Sequence, residues 1–399
     1  MSGVEVLPLG EVVKPTRPRV KPSDYPDLPF IGMEHVEAHS MRLAGTVPAA
    51  TMKSAAVHFK PGDVLYGRLR PYLNKVYRPT FEGLCSAEFI VLPENERVDG
   101  AYLQYFLNAS AFVRFASHLN TGDRPRVDFD QIAPHEIPLP DVGEQRRIVA
   151  EIEKQFSRLD EAVANLKRVK ANLDRYVGTT LSEAFSGKWA GNDADWRSVP
   201  LREVADVQLG QQRAPVHAAD VNPIPYVRAA NVTWQGLNLN DVKSMGFPNA
   251  ARYRLAYGDI LLAEASGSAN EVGKPAIWRD EILGACYQKT LIRVRCLPER
   301  LNFEFAYYFF LHTALSGQFA RLAPGVGILH LTAERMLVWP TFAPPVSVQA
   351  SIVAEVDRRL SIVREVKAEV DANLKRVQTL RQAVLAKAFV GWPSPNSNS

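Results

Sequence analysis

From about Glu144 to Ser186 the apolar residues fall into heptads. Val149, Phe156, Val163 and Val177 share one position, and Ile152, Leu159, Leu166 and Leu173 lie three residues further on. That spacing predicts one long helix with an apolar seam, interrupted at Lys170 and Thr180. A second run spans about Val348 to Val390. There Val353, Leu360 and Leu374 alternate with Val356, Val363, Val370, Val377 and Val384, and Lys367 and Arg381 interrupt. The pattern ahead of each run is different. In residues 1–143 short β-rich stretches (Leu28–Gly32, Val64–Tyr66, Phe89–Leu92) are separated by Pro/Gly turns, and Ala101–Leu119 reads as helix. Residues 196–343 follow the same grammar. The first stretch exits through Pro138 and Pro140, the second through Pro344 and Pro345.

The two halves are copies of one another. IVAEIEKQFSRLDEA (Ile148–Ala162) returns as IVAEVDRRLSIVREV (Ile352–Val366), an offset of 204 residues that also carries LSEAFSG (Leu181–Gly187) onto LAKAFVG (Leu385–Gly391). Over Ile148–Gly187 this register gives eleven identities in forty positions, beyond chance. Ahead of the helices the offset is 196: LPFIGMEHV (Leu28–Val36) matches IPYVRAANV (Ile224–Val232), and PGDVL (Pro61–Leu65) matches YGDIL (Tyr257–Leu261). A unit of this size seen twice is a tandem pseudo-dimer, not a solenoid. An isolated heptad helix has nothing to bury its seam against, so the two helices are expected to pair. The first leads from domain one to domain two. If a two-fold relates the halves, the second leads back, giving an antiparallel coiled coil on the order of 60 Å long. The alternative is two separate helices, each lying on its own domain. The expected class is mixed α/β with an internal pseudo-two-fold. Residues 1–143 and 196–343 form the domains, 144–195 the first helix and linker, 344–391 the second helix, and 392–399 a disordered tail.

Composition narrows the function classes. With 399 residues, 46% hydrophobic and 23% charged, the chain has the make-up of a soluble protein of two or three domains. No apolar run is long enough to cross a membrane, and MSGVEVLPLGEVV lacks the basic region and apolar core of a secretory signal. The cytoplasm is the expected compartment. Cys85, Cys286 and Cys296 are too few and wrongly spaced for a disulfide framework or a zinc site, and the first two read as buried strand positions. The net charge is only +4, so any contact with nucleic acid must come from local clusters.

Catalytic signatures are missing. GSANEVGKP (Gly267–Pro275) has its glycines wrongly spaced for a phosphate loop, and Pro275 replaces the hydroxyl that would hold magnesium. Gly325–Gly327 lacks the third glycine of a dinucleotide fingerprint and has His330 there instead. His135–Glu136 has no second histidine at zincin spacing. Neither an amino-methyltransferase tetrapeptide nor a nuclease carboxylate–lysine cluster is found.

GDVLYGRLRPYLNKV (Gly62–Val76), LCSAEFIVL (Leu84–Leu92), IPLP…EQRRIVAEIE (Ile137–Glu153), GDILLAEASGSANEVGKPAIW (Gly258–Trp278) and the closing LRQAVLAKAFVG occur in an order repeated across the two halves. In this the chain resembles the specificity subunits of type I restriction–modification systems along nearly its whole length. The resemblance implies two target recognition domains, each reading one half of a split, asymmetric double-stranded DNA target. It implies a helical spacer that sets the gap and docks two methyltransferase subunits, with two motor–nuclease subunits in the full complex. It also implies no cofactor in this chain, with S-adenosylmethionine on the methyltransferases and ATP and Mg2+ on the motor–nuclease. The departure lies in the turns: TGDRPRVDF (Thr121–Phe129) carries arginines, whereas its counterpart PGVGILHLT (Pro324–Thr332) has none, which puts the DNA role of the second turn in doubt.

Candidate contacts follow from side-chain chemistry. GRLRPYLNK places Arg68, Arg70, Tyr72, Asn74 and Lys75 in a loop after a strand. Arginine forks onto guanine O6/N7, asparagine onto adenine, and lysine holds phosphate. Arg124 and Arg126 flank Pro125 in a turn suited to phosphate. In the second domain LGQQRAPVH offers Gln211, Gln212 and Arg213, and EASGSANEVGK offers Glu264, Ser266, Ser268, Asn270 and Lys274; the glutamate can accept from cytosine N4. His35 and Asn231, at matching positions, are further candidates, with a core role as their alternative. Lys154, Arg158, Arg175, Arg358 and Arg359 lie off the helical seam and are available to partner proteins. The competing readings are a pseudo-dimeric protein scaffold without sequence-specific DNA binding and an enzyme acting by itself on DNA.

Overall fold

In the computed structural model, residues 4–15, 18–120, 122–189, 196–214, 222–266, 271–321 and 329–390 are described. Contacts divide the chain into two units, Met1–Lys167 with Asp371–Ser399, and Arg168–Val370. Both are mixed α/β. The predicted heptad runs are helices of 43 residues (Val142–Ala184) and 45 residues (Val346–Val390). Each contributes one end to each unit.

In the first unit strand β1 (Pro29–Ile31) runs parallel to β3 (Gly83–Ser86) in a five-stranded sheet, and β2 (Val64–Gly67) pairs antiparallel with β4 (Phe89–Leu92). The helical stretch expected over Ala101–Leu119 is two helices, α1 (Gly100–Asn108) and α2 (Ser110–His118). It breaks at Ala109, which is extended at φ −66° and ψ 140°. The carbonyl that Asn108 leaves free at this break accepts side-chain amides from Asn74 and Gln382. The long helix α3 (Val142–Ala184) follows.

The second unit repeats the frame. Strand β5 (Ile224–Val227) runs parallel to β7 (Cys286–Tyr287), and β6 (Ile260–Ala263) is antiparallel to β8 (Leu291–Cys296). Helix α4 (Phe303–Leu315) precedes the second long helix, α5 (Val346–Val390). The repeated Gly-Asp marks the same turn in both. Gly62 and Gly258 have φ of 91° and 86°, which only glycine adopts at little cost. The buried carboxylates of Asp63 and Asp259 accept the backbone N–H of Lys60 and Ala256, each at 2.8 Å. Cys85 and Cys286 are buried in β3 and β7. Burial pushes the Cys286 thiol up to about 11, so it stays protonated and unreactive at neutral pH.

Each unit buries the start of one long helix and the end of the other. In the first, Val149, Ile152 and Phe156 of α3 and Leu385 and Phe389 of α5 share a core with Tyr102 and Phe106. The Phe389 ring packs edge-on against both aromatics, at 5.2 and 5.6 Å. In the second, Phe185, just beyond the end of α3, meets Phe305 and Phe309 of α4 at 5.2 and 5.6 Å, beside Ile352, Val353, Val356 and Leu360 of α5. The repeated Ala-Phe of LSEAFSG and LAKAFVG is therefore a repeated aromatic plug. Within each unit the two helical segments run in opposite senses. Arg381 pairs with Asp160 in the first. In the second, Lys367 pairs with Asp174 at 2.5 Å and Arg359 with Glu183 at 3.4 Å. The charged residues that interrupt the second heptad run are thus cross-helix ion pairs. Thr180, which interrupts the first, is buried with no hydrogen-bond partner for its hydroxyl among the described residues.

A buried glutamine fixes where each long helix begins. Gln145 Nε2 donates to the carbonyls of Arg97 and Pro140, both at 2.8 Å, and its Oε1 accepts the Asp99 N–H at 2.9 Å. Gln349 repeats all three contacts with Arg300, Pro344 and Asn302. Asp99 and Asn302 are themselves the N-caps of α1 and α4. Truncation would orphan three backbone groups, one of them fully buried. Gln145→Ala should cost the first unit about 3 kcal/mol, while Gln349→Ala should destabilise only the second. Hydrogen exchange, followed separately in α1 and α4, checks this; protection unchanged in both would count against the clamp.

Candidate nucleic-acid interface

In the first unit the loop after β2 and the arginine turn, 54 residues apart between Arg70 and Arg124, are one structure. Arg68 donates its N–H to the Glu88 carbonyl at 2.9 Å and accepts the Val127 N–H at 3.0 Å. Arg70 donates its N–H to the Pro125 carbonyl at 2.7 Å, and Leu69 bridges Arg126. Arg68 ion-pairs with Asp128 and Arg126 with Glu88. Burial, with the Arg126 charge next in weight, lowers the Arg68 pKa below its ordinary value. The two guanidinium charges repel one another, and the carboxylates paired with them balance that cost.

The turn itself is strained. Arg70 and Asn74, on either side of Pro71–Leu73, have φ of 52° and 46°. A left-handed arginine costs about 1–2 kcal/mol, and such strain persists where surrounding contacts impose it. Here the Arg70–Pro125 bond imposes it, with the Arg70 Nε buried and without a hydrogen-bond partner among the described residues. Tyr72 projects from the tip and is 46% exposed, and Arg124 is exposed as well. Two members of the predicted cluster are used internally. Asn74 is buried and donates to the Asn108 carbonyl, and the Lys75 ammonium donates to the Met33 carbonyl at 2.6 Å.

In the second unit the same frame holds different side chains. Glu264 follows β6 as Arg68 follows β2. It donates its N–H to the Thr290 carbonyl at 2.9 Å and accepts the Leu331 N–H at 2.7 Å. His330 stands where Arg126 stands, with its Nδ1 3.3 Å from the Glu264 carboxylate. Gln211 joins the cluster through backbone bonds to Tyr287 and Lys289. Gln212 and Arg213 are exposed beside it. Lys274 corrects the sequence expectation: its ammonium pairs with Glu271 and lies 5.9 Å from the Trp234 ring, while the Trp234 indole N–H also donates to Glu271. A lysine so neutralised and covered holds the unit together. Ser266 pairs through its backbone with Leu329, and Ser268 and Asn270 lie outside the described residues.

His35 and Asn231 are local caps as well. His35 Nδ1 accepts the Gly32 N–H and Asn231 Oδ1 the Arg228 N–H, and the buried Asn231 amide also donates to the carbonyls of Asn238 and Asp241. On the helices Arg359 is a tie within the second unit, paired with Glu355 and Glu183 and stacked 4.6 Å over Trp189. His330 went unassigned from sequence, since the match of the two turns there set Arg126 against Leu329; the hydrogen bonds shift it by one residue. Among the described residues no group of three or more His, Cys, Asp or Glu is placed to hold a metal, and no helix is long and apolar enough to cross a membrane.

No protein-family model matches the chain. Among curated proteins it is 28% identical over 213 residues to the specificity subunit of the type I restriction enzyme EcoDI of Escherichia coli, a stretch covering 53% of this chain and 45% of that one. It is 23% identical over 319 residues to the EcoKI specificity subunit of Escherichia coli K12, covering 75% and 67%. The chain thus spans about half the length of the first of these relatives. Among solved structures, a chain from a study of type I R-M complex assembly and conformational transition superposes with a TM-score of 0.77 at 22% identity, covering 97% of this chain and 98% of that one. The HsdS subunit from Thermoanaerobacter tengcongensis gives 0.54 at 22% identity, with 98% of each chain covered.

The strained arginine offers a clean separation of stability from recognition. In Arg70→Gly the left-handed backbone becomes easy while the unfolded chain gains freedom, so stability should change by less than about 1 kcal/mol. Loss of the guanidinium should still weaken DNA binding at least ten-fold if it reaches a base or phosphate. Urea denaturation together with DNA titration checks both halves; a destabilised protein with undiminished binding would contradict them.

Proposed function

We propose that this chain, a homologue of type I restriction enzyme specificity subunits, is the sequence-specific DNA-recognition subunit of such a system. The observation that carries the reading is the twice-built frame: one backbone arrangement, presenting Arg68 with Arg126 in one unit and Glu264 with His330 in the other. A frame that keeps its backbone and exchanges its exposed chemistry suits two readings of one kind of ligand. The domains of residues 1–143 and 196–343 each take one half of a split target. Their different side chains make the half-sites different, and the target asymmetric.

In this role the chain is the non-catalytic component. Two methyltransferase subunits, one for each half, bring S-adenosylmethionine and add basic surface to a chain of net charge +4. Motor–nuclease subunits using ATP and Mg2+ join in the full complex. Of the off-seam residues, Lys154, Arg158 and Arg175 on α3 and Arg358 on α5 are exposed and are the ones offered to partners. A DNA-binding chain of this design acts in the cytoplasm. The long helices set the gap between half-sites, which for reading one face of the duplex is on the order of 34–36 Å per turn.

Selection from randomised double-stranded DNA by the full chain with its methyltransferases tests the reading, with a split motif as the expected product. Arg68→Ala should relax one half-site alone, by about 1–3 kcal/mol at one base. Equal weakening on target and random DNA would show a phosphate contact instead.

The spacer is tested by length. Four residues inserted after Asn165, with four more after Arg376, which the Asp160–Arg381 pairing sets opposite, extend the paired segment by about 6 Å. The half-site bases should stay the same while the permitted gap shifts or binding is lost. An unchanged gap at full affinity would remove the helices' role as a ruler.

A further inference from the structure

Glu264 and His330 hold, in the second unit, the two positions that Arg68 and Arg126 hold in the first. The equivalence is one of hydrogen bonds: Val127 N–H to the Arg68 carbonyl corresponds to Leu331 N–H to the Glu264 carbonyl, and Arg68 N–H to Glu88 corresponds to Glu264 N–H to Thr290. What the side chains offer is opposite in sense. Guanidinium groups only donate, and a carboxylate only accepts. The His330 Nδ1 faces the Glu264 carboxylate at 3.3 Å. With its proton on Nδ1 the ring donates to that carboxylate and holds it in place. The His330 side chain is 53% exposed and that of Glu264 21%. The second unit thus sets a carboxylate acceptor, Glu264, at the position where the first sets a guanidinium donor, Arg68.

Resting on the DNA-recognition reading above, we propose that Glu264 and His330 together are the specificity-determining pair of the second unit. They take an exocyclic amino group in the major groove, cytosine N4 or adenine N6, the only base-edge donors that this groove presents. The carboxylate accepts directly. His330 orients it, its Nδ1 lying 3.3 Å from the carboxylate. Sequence reading had found the glutamate alone; the histidine is brought to it by the pairing of Ala265 with His330.

The test is selection from a pool of randomised double-stranded DNA by the full chain in its methyltransferase complex. Wild type, Glu264→Gln, His330→Ala and the double change Glu264→Arg/His330→Arg are compared, with Arg68→Ala as the first-unit control. Glu264→Gln is nearly isosteric and partly exposed, so it keeps the test open if a bulkier variant fails to fold. The expected result is that Glu264→Gln and His330→Ala each lower discrimination at the same base position of one half-site by about ten-fold or more, with the other half-site unchanged. The base preferred there by the wild type, cytosine or adenine, identifies the amino group. The double arginine change should move that preference to guanine. If Arg68→Ala relaxes one half-site while the three second-unit variants leave the other unaltered, or weaken every position equally, the inference is overturned and the DNA-recognition reading stands. If the wild type selects no split motif, the reading itself fails and the inference with it.

Discussion

The structure depends on how each α/β unit is closed by helix. A heptad helix exposes an apolar seam that water penalises along its length, and in each unit that seam is covered by the α/β core together with the opposing segment of the other long helix. In each unit the opposing segments are joined by ion pairs at the seam's polar breaks and anchored to the α/β core at two points. One anchor is a buried glutamine, Gln145 or Gln349, that satisfies three backbone groups where a helix starts. The other is a phenylalanine, Phe185 or Phe389, inserted among the aromatics of α4 or α1. A polar clamp defines position to within a hydrogen bond, while the aromatic plug supplies buried area.

With the ends so held, the loops that face outward can change chemistry without changing shape. Backbone hydrogen bonds, not side chains, build the frame around Arg68 and Glu264. Substituting an acceptor for a donor therefore leaves the ladder intact. In the first unit's turn the Arg70–Pro125 bond keeps a left-handed arginine in place. This separation of frame from side chain is what a recognition protein needs if its two halves are to read different bases.

The duplication, the heptad register and the turn glycines were legible because each is a periodicity or a local backbone requirement. Gln145 and Gln349 also lay in view at the shared offset, but a glutamine at the head of a helix carries no mark that it will be buried. The candidate site was legible only as loops. Asn74, Lys75 and Lys274 are polar residues in apparently solvated stretches, and their local sequence says nothing of Asn108, Met33 or Trp234, which occupy them. Arg359, off the seam by its heptad position, is drawn into a tie because Glu183 and Trp189 lie across from it.

The sequence by itself determined that there are two α/β units, that two long helices complete them, and that no catalytic motif accompanies them, since repeats, heptads and motifs are properties of order along the chain. Only the tertiary structure decided which side chains stand together. It set Arg68 beside Arg126 and Glu264 beside His330, pairs separated by more than fifty residues, and turned several expected contacts inward. The physical reason is that hydrophobic period is a local quantity, whereas the neighbour of a loop side chain is chosen by strand pairing and core packing between distant segments.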